Sequence, residues 1–442
     1  MTSVATDALA DALAAYAGRF HAAIGHRHHV ASPLGAWLLL ALVAAADEAG
    51  DPADPTRTRA ADAGSTTGAA AGAAGVGAGA ATGPTAGAAG VKAEAAAAEA
   101  AGRGVAEAAG RGAAESLAEA LGMPTEAAVW HARELLDHPH PAVAAATAAW
   151  TRDTPAAAAR WLAALPSSVE RGPVPTQHAA DAWARRHTFD MIDHFPLTLD
   201  HTVLCVLANA LATRISWTHP FTTTGSDAFR SDWRGRVATV LRTPDRGHTC
   251  AIARHPAAGE IGVHRAHAEG LAVTSVVAAP HVPAAAVLAA AHDAARDRVE
   301  HLSLADLPLG DGPAWTVTES TGTGDRVSAV LPAWSATSEH DLRAPSFGFD
   351  AAAAVLTRLF DAAGWNATQA ATARYHREGF EAAAVTAVAV RMSFRPPGRR
   401  REAELRFDHP YAVVATATGD GPWAGLPVFS AWVTDPEPPT PR

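Results

Sequence analysis

Lysine is all but missing from this chain. It occurs once, at Lys92, and the other 34 cations among 442 residues are arginine. Set against 45 carboxylates, they leave a net charge of −10. That is the wrong sign for a chain whose main partner is a phosphate backbone, so no nucleic acid is expected. Cysteine is almost as scarce. Cys205 and Cys250 alone cannot build a disulfide framework or a four-cysteine zinc site. Cys205 lies inside an apolar run and reads as a small core residue. Aromatic residues make up only 6%, so the 48% hydrophobic content rests on alanine, whose methyl group buries little area. The 18% of charged residues is also below the usual quarter. The longest apolar run, Val30 to Ala46, contains Pro33 and is about one turn too short to cross a bilayer, so no membrane partner is expected. The first residues carry Asp7, Asp11 and Arg19 on a helical pattern, which does not read as an export signal.

What is present changes character along the chain. Asp7 to Ala23 spaces Leu9, Leu13, Tyr16 and Phe20 three or four apart, as one face of a helix requires. Ser32-Pro33 then opens a helix through Ala46 that is apolar all round and must be buried. Residues 51–112 are mostly Ala, Gly, Thr and Ser without one aromatic, and repeat an eight-residue unit twice, from Ala98 and from Ala106. Two copies are too few for a solenoid, and the composition cannot offset its ordering entropy. This stretch reads as a flexible low-complexity insertion in a single domain spanning residues 1–442. Helical patterning resumes from Ala113 to about Leu136 and continues in shorter pieces to Phe195. From Val203 to Ala285 the pattern is strand-like, and Ala351 to Ala363 reads as another amphipathic helix. Gln369 to Val390 reads as a long small-residue strand, and Tyr411 to Thr416 and Val428 to Val433 as two closing strands. Helices first and strands afterwards predict an α+β fold.

The segment Glu378-Gly379-Phe380-Glu381-Ala382-Ala383-Ala384-Val385-Thr386-Ala387 resembles the hinge of a serpin reactive loop, which reads roughly EGTEAAAATA. Phe407 to Tyr411 (FDHPY) resembles the strand that follows that loop, and Val433-Thr434-Asp435-Pro436 resembles the family's C-terminal VSDP. Earlier pieces keep the family's order. Ala31-Ser32-Pro33-Leu34 resembles FSPL; Asp181-Ala182-Trp183 with Thr188 resembles the NxW…T stretch; Leu207-Ala208-Asn209-Ala210-Leu211 with Trp217 and Pro220-Phe221 resembles LxNAL…W…PF. Any one motif is weak, but together they span nearly the whole chain outside residues 51–112.

The resemblance implies a large, mostly antiparallel sheet with two smaller sheets, eight or nine helices and an exposed reactive loop near the C-terminus. It implies an inhibitor of a serine-type endopeptidase that is itself not a catalyst, needs no cofactor or metal, works as a monomer and acts outside the cell, with a cytoplasmic place the alternative because no export signal is read. A protease would attack the loop, form an acyl-enzyme, and be trapped as the cut loop enters the main sheet. Ser32, Asn209, Trp217 and Gln369 would govern the opening of that sheet. Alternation along a strand would turn Phe380, Ala382, Ala384 and Thr386 to one face, and Glu381, Ala383 and Val385 to the other. Counting from Gly379 places the reactive bond at Ser393-Phe394, with Met392-Ser393 and Arg391-Met392 as neighbours in register and Arg399-Arg400 as a further candidate.

Three positions depart from the family pattern. Phe380 stands where a Thr or Ser is usual, Gly35 replaces the second serine of SPLS, and Gln369 replaces the gate histidine. A phenyl ring at the first inward position would overpack the sheet. A non-inhibitory binding or structural protein on the same fold is therefore the alternative. Neither a GxSxG elbow nor an HExxH pair occurs. The 22 histidines read as surface residues, and adjacent His28 and His29 point apart.

Overall fold

The computed structural model describes residues 2–49, 112–213, 215–237, 239–362, 364–380 and 398–437. The predicted insertion at 51–112 lies outside them except for Gly112.

The chain begins with α1 (Thr2–Ile24), β1 (His29–Ala31) and α2 (Pro33–Ala49). Ser32 caps α2, its Oγ accepting from Gly35 N at 3.2 Å, with Pro33 at the first helical position. The single helix predicted over 113–136 is two. α3, described at 112–121, ends at Gly122 with φ of +71°, and α4 (Thr125–Asp137) starts after Pro124. A left-handed glycine followed by proline stops one helix and starts the next. Next come β2 (Ala144–Thr151), α5 (Ala156–Ala164), β3 (Glu170–Gly172), α6 (Gln177–His187) and β4 (Cys205–Ala212). The alanine-rich β2 falls in a stretch read as helical. Its pairing with β4, from Ala144↔Ala212 to Thr151↔Cys205, overrides the helical propensity of alanine.

Seven strands follow: β5 (Ile215–Ser216), β6 (Thr222–Thr224), β7 (Val240–Arg242), β8 (His248–His255), β9 (Gly259–Ala268), β10 (Leu271–Ala278) and, after α7 (Ala284–Ala295), β11 (Glu300–His301). Helix α7 escaped the sequence reading. It lies among strands and is apolar enough to resemble them. The rest comprises β12 (Gly310–Asp311), β13 (Trp315–Gly322), β14 (Arg326–Pro332), β15 (Trp334–Asp341), α8 (Phe349–Phe360), β16 (Thr368–Tyr375), β17 (Gly379–Phe380), β18 (Gly398–Arg406), β19 (Tyr411–Ala417) and β20 (Pro427–Val433). The two closing strands lie where the sequence placed them.

The class is α+β, as expected. A seven-stranded antiparallel sheet runs β1-β20-β19-β10-β9-β8-β11 and carries α7 on one face. A six-stranded sheet runs β12-β13-β18-β14-β7-β6. The remaining strands form β3-β2-β4, β15-β16 and the short pair β17-β5. Helix α2 is buried at the centre of the main core with Trp37, Leu38 and Leu40 fully enclosed, as a helix apolar all round must be. Smaller clusters form where α7 and α6 cover their sheets.

Several histidines read as surface residues are buried instead, among them His21, His29, His264, His292 and His340. His28 and His29 do point apart, His28 bonding Ser335 O and His29 facing His21. Two pairs are joined ring to ring by hydrogen bonds. His29 Nδ1 donates to Arg27 O (2.8 Å), so His29 Nε2 must accept from His21 Nδ1 (2.7 Å), leaving His21 Nε2 to accept from Ser430 Oγ (2.6 Å). In the second, His248 Nε2 donates to His219 O and His248 Nδ1 accepts from His264 Nε2 at 3.0 Å. A proton added to either pair would place a charge in a largely desolvated site. Burial pushes His29 and His248 down to about 4, and His21 and His264 well below their usual range.

The unfolded chain takes up these protons near pH 6.5, the folded chain only near 4. Stability is therefore full above the unfolded value and falls as pH drops through that window, by about 3 kcal/mol each for His29 and His248. Urea midpoints measured from about pH 7 down to about pH 4 should fall steadily through that window. A flat profile would mean the rings are solvated in the folded protein.

Candidate functional site

The site is a gap. Strands β2 and β4 form one half of a sheet and β15 and β16 the other, yet among the described residues no ladder joins β4 to β16. Each half is held from one side. Helix α6 lies on the first, where Trp183 packs on Trp150 (5.3 Å between centroids) with Phe195, Val206, Ala208 and Ala210. On the opposite face of β4, Leu211 belongs to the main core that surrounds α2, and Leu207 and Cys205 pack against that core. β4 thus alternates, even-numbered residues toward α6 and odd-numbered toward α2.

Between the halves lie two voids. The upper, about 80 Å³, is lined by Ser32, Gly35, Asn209, Leu211 and Gln369 among others. The lower, about 480 Å³, is bounded by Leu39 and Val43 of α2, Cys205 and Leu207 of β4, Leu356 of α8 and Trp365. Burial pushes the Cys205 thiol up to about 12, so it is a neutral wall of that void and not a nucleophile.

Three of the four predicted gate residues, Ser32, Asn209 and Gln369, line the upper void. The Gln369 amide does not bond Asn209. It makes a two-point contact with the main chain of Ser32, Nε2 donating to Ser32 O (2.8 Å) and Oε1 accepting from Ser32 N (3.0 Å). Ser32 Oγ donates to Val428 O (2.9 Å), which ties the start of α2 to β20. Asn209 Nδ2 donates instead to Thr147 Oγ1 on β2 (3.0 Å). Thr147 was missed because its hydroxyl sits within an alanine run that gave no strand signal. Gly35 is closely packed by side chains. A Cβ there would lie 2.9 Å from both Asn209 Oδ1 and Leu211 Cδ1.

At the head of the gap, β17 is already paired. Gly379 lies opposite Ser216 and Phe380 opposite Ile215, antiparallel. Trp217, nearly fully buried, bonds this turn twice, its N donating to Glu378 O (3.1 Å) and its Nε1 to His376 O (2.9 Å). Its ring packs on Tyr375, which stacks in turn on Trp334. Gly379 also admits no side chain, since a Cβ would meet Ile215 O at 2.2 Å. Glu378 is exposed beside Arg377. The rest of the predicted hinge, Glu381, Ala382, Ala383, Ala384, Val385 and Thr386, lies outside the described residues, as do the reactive-bond candidates Arg391, Met392, Ser393 and Phe394. The further candidate, Arg399-Arg400, sits in β18 opposite Thr321 and Ser320. A bond held in a ladder is not offered to a protease as an extended loop.

Two substitutions test the gate. Gln369→Leu should remove both bonds to Ser32 and cost about 1–3 kcal/mol. Gly35→Ala should overpack the Asn209 contact by about 1–3 kcal/mol. Both are read from urea unfolding. An unchanged midpoint for either would show that the gate has room to relax.

No family model and no curated protein matches the sequence. The structure does match known ones. Serpin48 of the insect Tenebrio molitor superposes with a TM-score of 0.52 at 14% identity, over 97% of this chain and 98% of that one. Human thyroxine-binding globulin, complexed with its hormone, gives 0.55 at 12% over 97% and 98%. A cleaved serpin, Serpin 42Da, gives 0.56 at 12% over 99% of both chains. With β4 and β16 apart, β17 at the head of the gap and these superpositions over nearly the whole length, the chain has the serpin fold.

Proposed function

We propose that the chain is a suicide-substrate inhibitor of a serine protease, which works by filling the gap between β4 and β16 with its own cut loop. The observation that carries this reading is the register of β17. Continued along β4, it sets Ala383 opposite Ala212 and Val390 opposite Cys205, and so fills the gap from end to end. Ala382, Ala384 and Thr386 would then share a face with Thr213, Leu211 and Asn209, over α2. Small side chains suit that face, which is closely packed where Gly35 of α2 meets Asn209 and Leu211.

The energetic logic is simple. Two strand edges that face each other unpaired are an unfilled ladder. A strand between them gains backbone bonds on both sides, so the uncut form is held by kinetics. The protease supplies the chemistry. Its serine attacks a loop carbonyl, an ester to the enzyme forms, and the peptide nitrogen leaves as an amine. If the loop enters the sheet before water cleaves that ester, the enzyme stays attached. Phe380 does not have to enter on cleavage, since its backbone is already in the ladder. The overpacking expected at the first step therefore falls on a residue that is in place from the start.

Nicking the loop with trypsin or elastase should raise the thermal midpoint by about 10 °C or more. A denaturing gel should show a band at the summed mass of inhibitor and protease. Gain of heat resistance without that band would make the chain a substrate on a serpin fold. No gain at all would overturn the reading and favour a binding or structural role.

A further inference from the structure

Helix α2 is buried from Pro33 to Ala46 except at Leu39, which keeps part of its surface open. Leu39 faces the lower void. So do Leu207 of β4 and Leu356 of α8, both also half-buried. Leucines left partly uncovered in the middle of a fold are apolar surface that a further apolar group would bury with gain. Packing within the chain does not cover them. The void holds about 480 Å³ in an interior where gaps larger than a water molecule are few. That volume lies in the range of small-molecule sites, about 300–1,000 Å³.

The lining is chemically one-sided. The chain carries 35 basic residues, 45 acidic ones and 22 histidines, yet none of these types lines the void. The Cys205 thiol in its wall is kept neutral by burial. Arg152, near the foot of β4, is already spent on the carbonyls of Val203 (3.0 Å) and Asp200 (2.9 Å). Thr202 gives both its N and its Oγ1 to the Asp200 carboxylate (2.8 and 2.5 Å), and Thr357 Oγ1 donates to Ala353 O (2.7 Å). What remains polar is neutral and lies at the opening. Thr198 and Asn366 are exposed there beside Trp365, and neither makes a side-chain hydrogen bond to another described residue.

This combination discriminates between ligands. An ionised group drawn into the void loses its water and meets no counter-ion, at a cost of several kcal/mol or more. An uncharged molecule with an apolar body and one hydroxyl or carbonyl end suits both parts. Its body covers the leucines, and its polar end meets a hydroxyl and an amide that can each donate or accept. Trp365, 39% exposed, offers an aromatic face at the entrance.

We propose that the lower void is a binding site for an uncharged lipophilic small molecule, of the chemistry of a long-chain alcohol. Its apolar body lies against Leu39, Leu207 and Leu356, and its polar end at Thr198 and Asn366. The proposal does not rest on the loop-insertion reading, because the site is a feature of the uncut protein and binding to it is measured directly.

The test is a fluorescence titration of the uncut protein with Nile red, an uncharged dye whose emission shifts to the blue in apolar surroundings. One saturable site is expected. 1-Dodecanol should displace the dye, and dodecanoate at about pH 8, where its carboxylate is ionised, should do so at least about tenfold less well. Ala353→Phe fills the void from α8, and Leu356→Glu puts a charge in its wall. Each variant that keeps the wild-type thermal midpoint should bind the dye at least about tenfold more weakly. Binding that does not saturate, or unchanged affinity in a folded variant, would overturn the site. Equal displacement by dodecanoate would overturn the uncharged ligand class. Should neither variant fold, the comparison of alcohol with carboxylate on the wild-type protein decides.

Discussion

The structure depends on two strands that do not meet. β4 and β16 run on either side of α2 with a void between them, and each is kept in place by contacts on its far side. β4 is held by its ladder to β2 and by the α6 cluster, β16 by its ladder to β15. Closing the gap would pair the two edges, but it would have to move one half of a packed sheet relative to α2. Close-packed interiors resist such movement. The gap therefore persists as a structural feature, and the rest of the molecule is arranged around its two ends.

Those ends differ in chemistry. The upper gate is polar and specific. Gln369 grips the main chain of Ser32 at two points, and Ser32 in turn grips β20 and caps α2. One residue thus couples the buried helix to both sheets. The lower void is larger and mostly apolar, and its walls make no comparable set of directional bonds. Hydrogen bonds localise the opening at the top, where β17 is already in register, while the foot offers only apolar surface to bury.

The two strands that flank residues 381–397 are anchored unequally. β17 is two residues long, paired on one side to β5, and seated there by Trp217 and by a glycine that tolerates no side chain. β18 is nine residues long and paired on both sides. On the proposed reading, strand addition would grow from the short, one-sided anchor.

Much of this was legible in the sequence, and the boundary follows from physics. Patterns that depend on near neighbours survived. The cap at Ser32-Pro33, the buried α2, the amphipathic α1 and α8 and the closing strands all lie where periodicity put them, because a helix face or strand face is set within a few residues. The motifs also singled out Ser32, Asn209 and Gln369, which line one void, and Trp217, which instead seats β17. Other properties depended on partners distant in the chain. β2 is a strand only because β4 lies beside it, and alanine by itself argues for helix. Gly35 is closely packed only once Asn209 and Leu211 lie against α2. His21 and His29 are buried only because α1, β1 and β20 converge on them. The partner of Gln369, the break between β4 and β16 and the enclosure of β18 are all choices of which edges pair. Sequence alone sets which residues can form strands. Which strands share a ladder, and which stay apart, is decided by packing across hundreds of residues, and in this protein that choice is what the proposed function rests on.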